Sequence, residues 1–218
     1  MYSASEENYL KAVYHLQQEG ISAVPTSKLS DYLDTRAASV TEMVKKLADK
    51  QLLHYKPYYG VSLTEAGLLQ ALMIIRKHRL WETFLVERLG FSWDEVHEVA
   101  EQLEHIRSEK LVNAIDDLLD HPTHDPHGDP IPDSEGKVAT RDKKLLSDCQ
   151  AGITGMVVGV KDDSASFLQF LDTQKITLGT SFTVISREAF DDSMELELDG
   201  RALRISQKIA INLYVKAG

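Results

Sequence analysis

The stretch Arg76–Arg107, RKHRLWETFLVERLGFSWDEVHEVAEQLEHIR, decides how the rest of the chain is read. Its apolar spacing predicts two helices parted by Gly90-Phe91-Ser92-Trp93. Ser92 is placed to cap the second, with Glu95 three residues on as its capping-box partner. His78 and Glu82 are four apart and leave the first helix on one face. On the second, His97, Glu101, Glu104 and His105 fall within about 100° of arc at 3.6 residues per turn. Beside that arc lies an apolar stripe of Val96, Val99, Ala100, Leu103 and Ile106. Imidazoles and carboxylates at the border of a buried face suit a divalent transition metal. Ordinary i,i+4 pairs on a solvated helix face have the same spacing, so spacing alone leaves both readings open. The His/Glu pair on the preceding helix makes a chance arrangement the weaker reading.

The chain has 218 residues, enough for two or three small domains, and its 43% hydrophobic and 27% charged content is that of a soluble globular protein. No apolar run approaches the roughly 20 residues of a membrane span. The N-terminal MYSASEENYL has neither the basic start nor the apolar core of a signal peptide. The one cysteine, Cys149, has no partner for an internal disulfide. These features predict a cytoplasmic protein with no membrane partner. The net charge of −10 argues against a protein that coats nucleic acid, but the charge is uneven. Residues 1–76 hold 8 basic and 8 acidic side chains, and the whole acidic excess lies beyond them. Any DNA contact is therefore local and belongs to the first third.

That first third reads as a winged helix-turn-helix. A helix over 5–19, capped by Ser5, is followed by a short helix over 27–33, a turn at Asp34-Thr35-Arg36 and a third helix over about 37–50. Residues 52–56 and 61–63 then read as strands joined by Pro57-Tyr58-Tyr59-Gly60. In this motif the start of the third helix enters a major groove. Arg36, Ala38, Ser39, Thr41 and Glu42 are thus candidates for base edges, Lys45 and Lys46 for phosphates, and Lys56 and Tyr58 on the wing for the backbone. A lysine pair on a solvated face, or a winged helix that binds only protein, is the plainer alternative.

Thr64 caps a long helix over 65–88, and a further helix is expected over 108–119. Their apolar residues fill more than one face, which predicts a subunit interface and a two-fold homodimer. HPTHDPHGDPIPDSEGK (121–137) reads as an irregular loop, favoured over a ligand role for His121, His124 and His127 because prolines crowd them. Residues 138–150 read as linker. Beyond them, 155–160, 181–185, 194–198 and 202–205 read as strands, Asp199-Gly200 as a hairpin turn and 164–171 as a short helix.

KHRLWE, VHEVAEQLEH and HPTHDPHGDPIP together resemble the diphtheria-toxin-repressor and manganese-transport-regulator family of metal-dependent transcriptional repressors, and the resemblance runs over nearly the whole chain. It implies a mainly α protein with a C-terminal β domain: a winged helix over 1–75, a helical dimerisation and metal-binding domain over 76–137, a linker over 138–150, and a small SH3-like (iron-transport-A-like) barrel over 151–218. It also implies two metal sites per subunit. One comprises His78, Glu82, His97 and Asp163, where a helix N-cap is the alternative role for Asp163. The other comprises Glu101, Glu104, His105 and Asn8, where methionine or aspartate is usual in the family. Glu101 stands where iron-type members carry cysteine. Two carboxylates and one imidazole make a hard site, which favours Mn2+, with Fe2+ as the alternative. The expected function is repression of metal-uptake genes through operator DNA, without enzymatic activity. A di-metal hydrolase is the reading from a different class, disfavoured because no nucleophile or general base stands beside the ligands. A metal-independent DNA-binding or scaffold protein is the third.

Overall fold

The computed structural model describes residues 2–140 and 142–218; Met1, in the expected first domain, and Arg141, in the expected linker, lie outside them. The chain divides into two compact units. The first comprises residues 1–78, 101–113 and 132–138, the second residues 79–100, 114–131 and 139–218.

The first unit contains α1 (Ala4–Gln18), α2 (Thr26–Tyr32), α3 (Ala37–Asp49) and the antiparallel pair β1 (Leu53–Lys56) and β2 (Gly60–Leu63). Tyr9, Leu10, Val13, Leu29, Val40, Val44 and Leu47 are buried together with Ala71 and Ile74 of the long helix α4 (Glu65–Leu89). The strands meet with Leu53 opposite Leu63 and Lys56 opposite Gly60. Gly60 has φ +103°, and a Cβ there would come within 2.7 Å of the Val24 carbonyl oxygen, so the wing turn needs glycine. The winged helix-turn-helix expected from the sequence is present. Its first helix begins earlier than expected because Ser3, not Ser5, is the cap: Ser3 accepts from the Glu6 N–H while Glu6 accepts from the Ser3 N–H.

Glu6 has a second task. It is only 2% exposed and is held by Lys50 at 2.5 Å and Lys46 at 3.2 Å. Burial pushes its pKa up, but Lys50, the Ser3 N–H and Lys46 outweigh that and hold the carboxyl at about 2, below the ordinary 4.5. A depressed carboxyl stabilises the fold fully above pH 4.5 and loses that contribution as pH falls toward 2. Glu6→Gln is therefore expected to lower unfolding stability by about 1–3 kcal/mol at neutral pH. The gap between variant and parent should narrow by pH 3.5 in urea titrations. An equal gap at both pH values contradicts the assignment.

The second unit contains the end of α4, most of α5 (Val96–Leu103), the end of α6 (Glu109–Leu118), and a six-stranded antiparallel sheet. Its strands are β3 (Lys144–Leu145), β4 (Thr154–Val160), β5 (Ser181–Arg187), β6 (Met194–Leu198), β7 (Arg201–Ile205) and β8 (Leu213–Ala217), in the order β3-β8-β4-β5-β6-β7. Two helices, α7 (Ala165–Thr173) and α8 (Gln207–Ala210), complete it. Register shifts in β4 and β5 bend the sheet around a core of Val157, Leu168, Leu171, Val184, Leu196 and Val215. The linker expected over 138–150 does not remain one: β3 joins the sheet, and Leu146 and Cys149 are buried in the same core.

Candidate metal centre and nucleic-acid interface

Within the first unit, α1 and the segment that follows α5 build one polar group. Glu101 ends the helical face, but α5 stops at Leu103, so Glu104 and His105 sit on a turn rather than on the helix expected from their spacing. Glu104 is fully buried. A carboxylate in such a place needs matched charge. Lys11 of α1 supplies it, placing its Nζ 2.6 Å from Glu101 Oε1 and 2.7 and 2.8 Å from the two Glu104 oxygens. His78 Nδ1 lies 2.7 Å from Glu104 Oε2. Burial works to raise the Glu104 pKa, yet His78 and Lys11 together hold it below the ordinary value.

His105 Nδ1 is 2.6 Å from Glu7 Oε2, and its Nε2 is 3.9 Å from Glu104 Oε1. An N–H at Nδ1 donating to Glu7 leaves the Nε2 lone pair on the Glu104 side, the arrangement that a carboxylate behind a metal-binding imidazole enforces. Asn8 adds a buried Oδ1 with no hydrogen-bond partner. Two carboxylates already gathered on a cation and an oriented imidazole fit a divalent ion of the hard class. Lys11 was not anticipated from the sequence. It shares a face of α1 with Glu7, four residues before it, but no local spacing relates it to Glu101 and Glu104.

The second unit gathers a different set. Glu82 Oε1 lies 3.4 Å from His97 Nδ1, and Glu82 Oε2 lies 3.7 Å from His127 Nδ1. Glu82, Asp125 and His127 are all buried, and each offers a ligand atom within 4.8 Å of the others. Asp125 Oδ1 accepts from the backbone N–H groups of His127 and Asp129, while its Oδ2 is 3.4 Å from Arg79 Nε. Burial, reinforced by Glu82 and Asp129, pushes the Asp125 carboxyl up to about 7. Burial alone would lower the His127 pKa, but Glu82 and Asp125 carry it up to about 9.

The loop reading of 121–137 survives for two of its histidines: His121 is exposed and pairs with Asp116, and His124 meets Thr123. His127 lies in a turn of the same loop, and its carbonyl accepts from the Val160 N–H of β4. His78 is hydrogen-bonded to Glu104 through its Nδ1. Asp163 is exposed ahead of α7 and belongs to none of the metal-capable groups among the described residues. The cap of α7 is Ser164, whose N–H is taken by Asp162, so Asp163 is not the N-cap either.

The expected DNA-facing side chains lie along α3 and the wing. Arg36 precedes α3, and Arg36, Ala38, Ser39, Glu42 and Lys45 are exposed. Thr41 is half-buried and donates to the Ala37 carbonyl. Lys46 is engaged with Glu6, which weakens its candidacy for phosphate. On the wing, Lys56 lies over the Tyr59 ring at 4.2 Å, and Tyr58 is fully exposed.

Comparison with known proteins covers nearly the whole chain. Residues 1–61 match the iron dependent repressor N-terminal DNA binding domain, and residues 64–133 match the iron dependent repressor metal binding and dimerisation domain. Residues 144–217 match the FeoA domain. The iron-dependent repressor IdeR of Mycobacterium tuberculosis is 35% identical over 126 residues, which is 58% of this chain and 54% of that protein. The chain thus spans about half the length of the curated relatives it matches. A solved manganese-dependent transcriptional repressor in complex with manganese superposes with TM-score 0.86 at 34% identity, over 98% of this chain and 100% of the other. The manganese regulator SloR does so with TM-score 0.74 at 29% identity, over 98% of each chain.

Proposed function

Because this chain belongs to the iron-dependent repressor family of metal-dependent transcriptional regulators, we propose that it is a repressor whose operator binding is switched on by a divalent cation. The observation that carries this reading is the Lys11 ammonium between Glu101 and Glu104, which ties α1 to the segment after α5 through positive charge. Glu101, Glu104, His105 and Asn8 are the ligands of that site. Glu82 and His97 belong to a second site, giving two ions per subunit. His78 is a ligand at one of the two, by its bond to Glu104 or its place one turn before Glu82 on α4. Mn2+ suits the oxygen-rich set, with Fe2+ next; relatives described as manganese-dependent and as iron-dependent both occur.

When bound, the cation supplies a doubly charged centre in the place of a single ammonium. Glu101 and Glu104, held by Lys11 in this structure, would hold the ion with His105 and the Asn8 amide oxygen. Glu7 keeps His105 oriented throughout. These residues connect α1, which packs with α3 in one core, to residues 101–105, so ligation there selects among orientations of the reading helix. The domains run over 1–75, 76–137 and 151–218. The chain acts as a cytoplasmic homodimer with two α3 helices matched to half-sites about 34 Å apart. The targets are operators of metal-uptake genes.

The DNA half of this reading is tested on α3. Lys45→Ala is expected to weaken binding to all sequences and to reduce the salt slope by about one unit. Ser39→Ala is expected to change sequence preference and leave the slope intact. Filter binding over a salt series on operator and random DNA separates the two. Identical losses on both DNAs from both changes rule out this placement of α3.

A further inference from the structure

We propose that Lys11 sets the metal threshold of the site formed by Glu101 and Glu104, because its ammonium competes with the divalent ion for their carboxylates. This rests on the reading of Glu101 and Glu104 as cation ligands and adds the group that opposes the ion.

Three carboxylate oxygens converge on Lys11 Nζ: Glu101 Oε1 at 2.6 Å and the two oxygens of Glu104 at 2.7 and 2.8 Å. Both oxygens of Glu104 are thus given to one nitrogen. A divalent ion bonds carboxylate oxygens at about 2.0–2.2 Å and needs the same convergence. The place is dry, since the Lys11 side chain is 12% exposed and that of Glu104 is 0% exposed. An ion bonded to these oxygens and an ammonium still held by them would be like charges in close contact with little water between them, which a buried position does not sustain. Lys11 and the ion therefore exclude one another.

The side chain is suited to such an exchange. Lys11 lies on α1, three residues after Asn8 and four after Glu7, so it leaves the helix on the face that carries them. Its four-carbon stem is flexible and its head is strongly hydrated in water, so the ammonium can move to solvent by rotation within its own side chain. The Glu101 side chain is 35% exposed, which leaves the site open on that side.

Charge decides which cation wins. Without an ion, the fully buried Glu104 needs a cation beside it, and Lys11 meets that need. A doubly charged ion attracts the two carboxylates more strongly than a single ammonium does. A monovalent ion offers no more charge than the ammonium and none of its hydrogen bonds, so it does not displace Lys11. The divalent ion does so only above a threshold, because its apparent affinity is reduced by the fraction of molecules in which Lys11 is off the carboxylates.

Isothermal titration of the full chain with Mn2+ alone tests the competition. The step of the isotherm that Glu104→Gln removes belongs to this site. Lys11→Met keeps an apolar stem and removes the charge, so it should bind Mn2+ in that step about tenfold tighter than the parent. Lys11→Arg keeps the charge and should bind no tighter than the parent. Unchanged or weaker binding by Lys11→Met, or equal tightening by Lys11→Arg, overturns the inference and leaves the proposed function standing. No Mn2+ binding at Glu101 and Glu104 in any of these proteins overturns both. A second measurement needs no substitution: reductive methylation followed by peptide mass spectrometry reads the accessibility of the Lys11 amine in the parent. Lys11 should be protected in EDTA and methylated in excess Mn2+. Equal protection in both solutions, with Mn2+ bound, also overturns the inference.

Discussion

Glu104→Gln is expected to abolish metal activation: operator affinity in saturating Mn2+ should fall by on the order of 100-fold, to the value measured in chelator. Glu104 is the buried carboxylate on which Lys11 and His78 converge. An amide of the same shape cannot supply the charge that a divalent ion needs, and it leaves the Lys11 ammonium with Glu101 alone. Breaking a buried ion pair from one side costs about 3–5 kcal/mol, so the single variant should also lose stability in its metal-free form. The double variant Lys11→Met with Glu104→Gln removes both charges. It should recover much of that stability while remaining insensitive to metal. Restored metal response in the double variant shows that Glu104 acts only through folding.

Glu101 carries the second large effect. It lies three and four residues before Glu104 and His105, and its carboxylate meets the Lys11 ammonium at 2.6 Å. Glu101→Ala is expected to lose activation by every ion, since one of the two neutralising charges is gone. Glu101→Cys keeps a ligand but exchanges oxygen for polarizable sulfur. Operator binding should persist, with the order of effectiveness moving away from Mn2+ toward Fe2+, Co2+ or Zn2+. Anaerobic titration of operator binding with each ion reads this directly. An unchanged metal order in the cysteine variant, or a parental Mn2+ response in the alanine variant, reduces Glu101 to a partner of Lys11.

Sequence made visible what repeats along one element. The i,i+4 spacing of His78 with Glu82 and of Glu101 with His105 placed the candidate ligands, and the helix starts fell within two residues of expectation except at α5, which begins at Val96, four residues after its expected cap Ser92. The winged helix followed from short amphipathic helices and a turn. Contacts made in three dimensions were hidden. Lys11 and Glu104 are 93 positions apart, and nothing local to either signals that one neutralises the other. His127 lies among prolines, where periodicity has no purchase, and its position is set by β4, more than 25 residues further on. Asp163 illustrates the converse: its place just before a helix pointed to a ligand or a cap, and the cap of α7 is Ser164 instead. The two-residue β3 is too short to carry an alternating pattern, so its segment read as linker.

In the proposed repressor, a cation at Glu101 and Glu104 governs DNA affinity. Fluorescence anisotropy of the full chain on its operator, at fixed ionic strength, tests it with one comparison between EDTA and excess Mn2+ or Fe2+. Binding tighter by on the order of 100-fold is expected with the metal, and no comparable gain on random DNA. Equal operator affinity with and without either ion contradicts it.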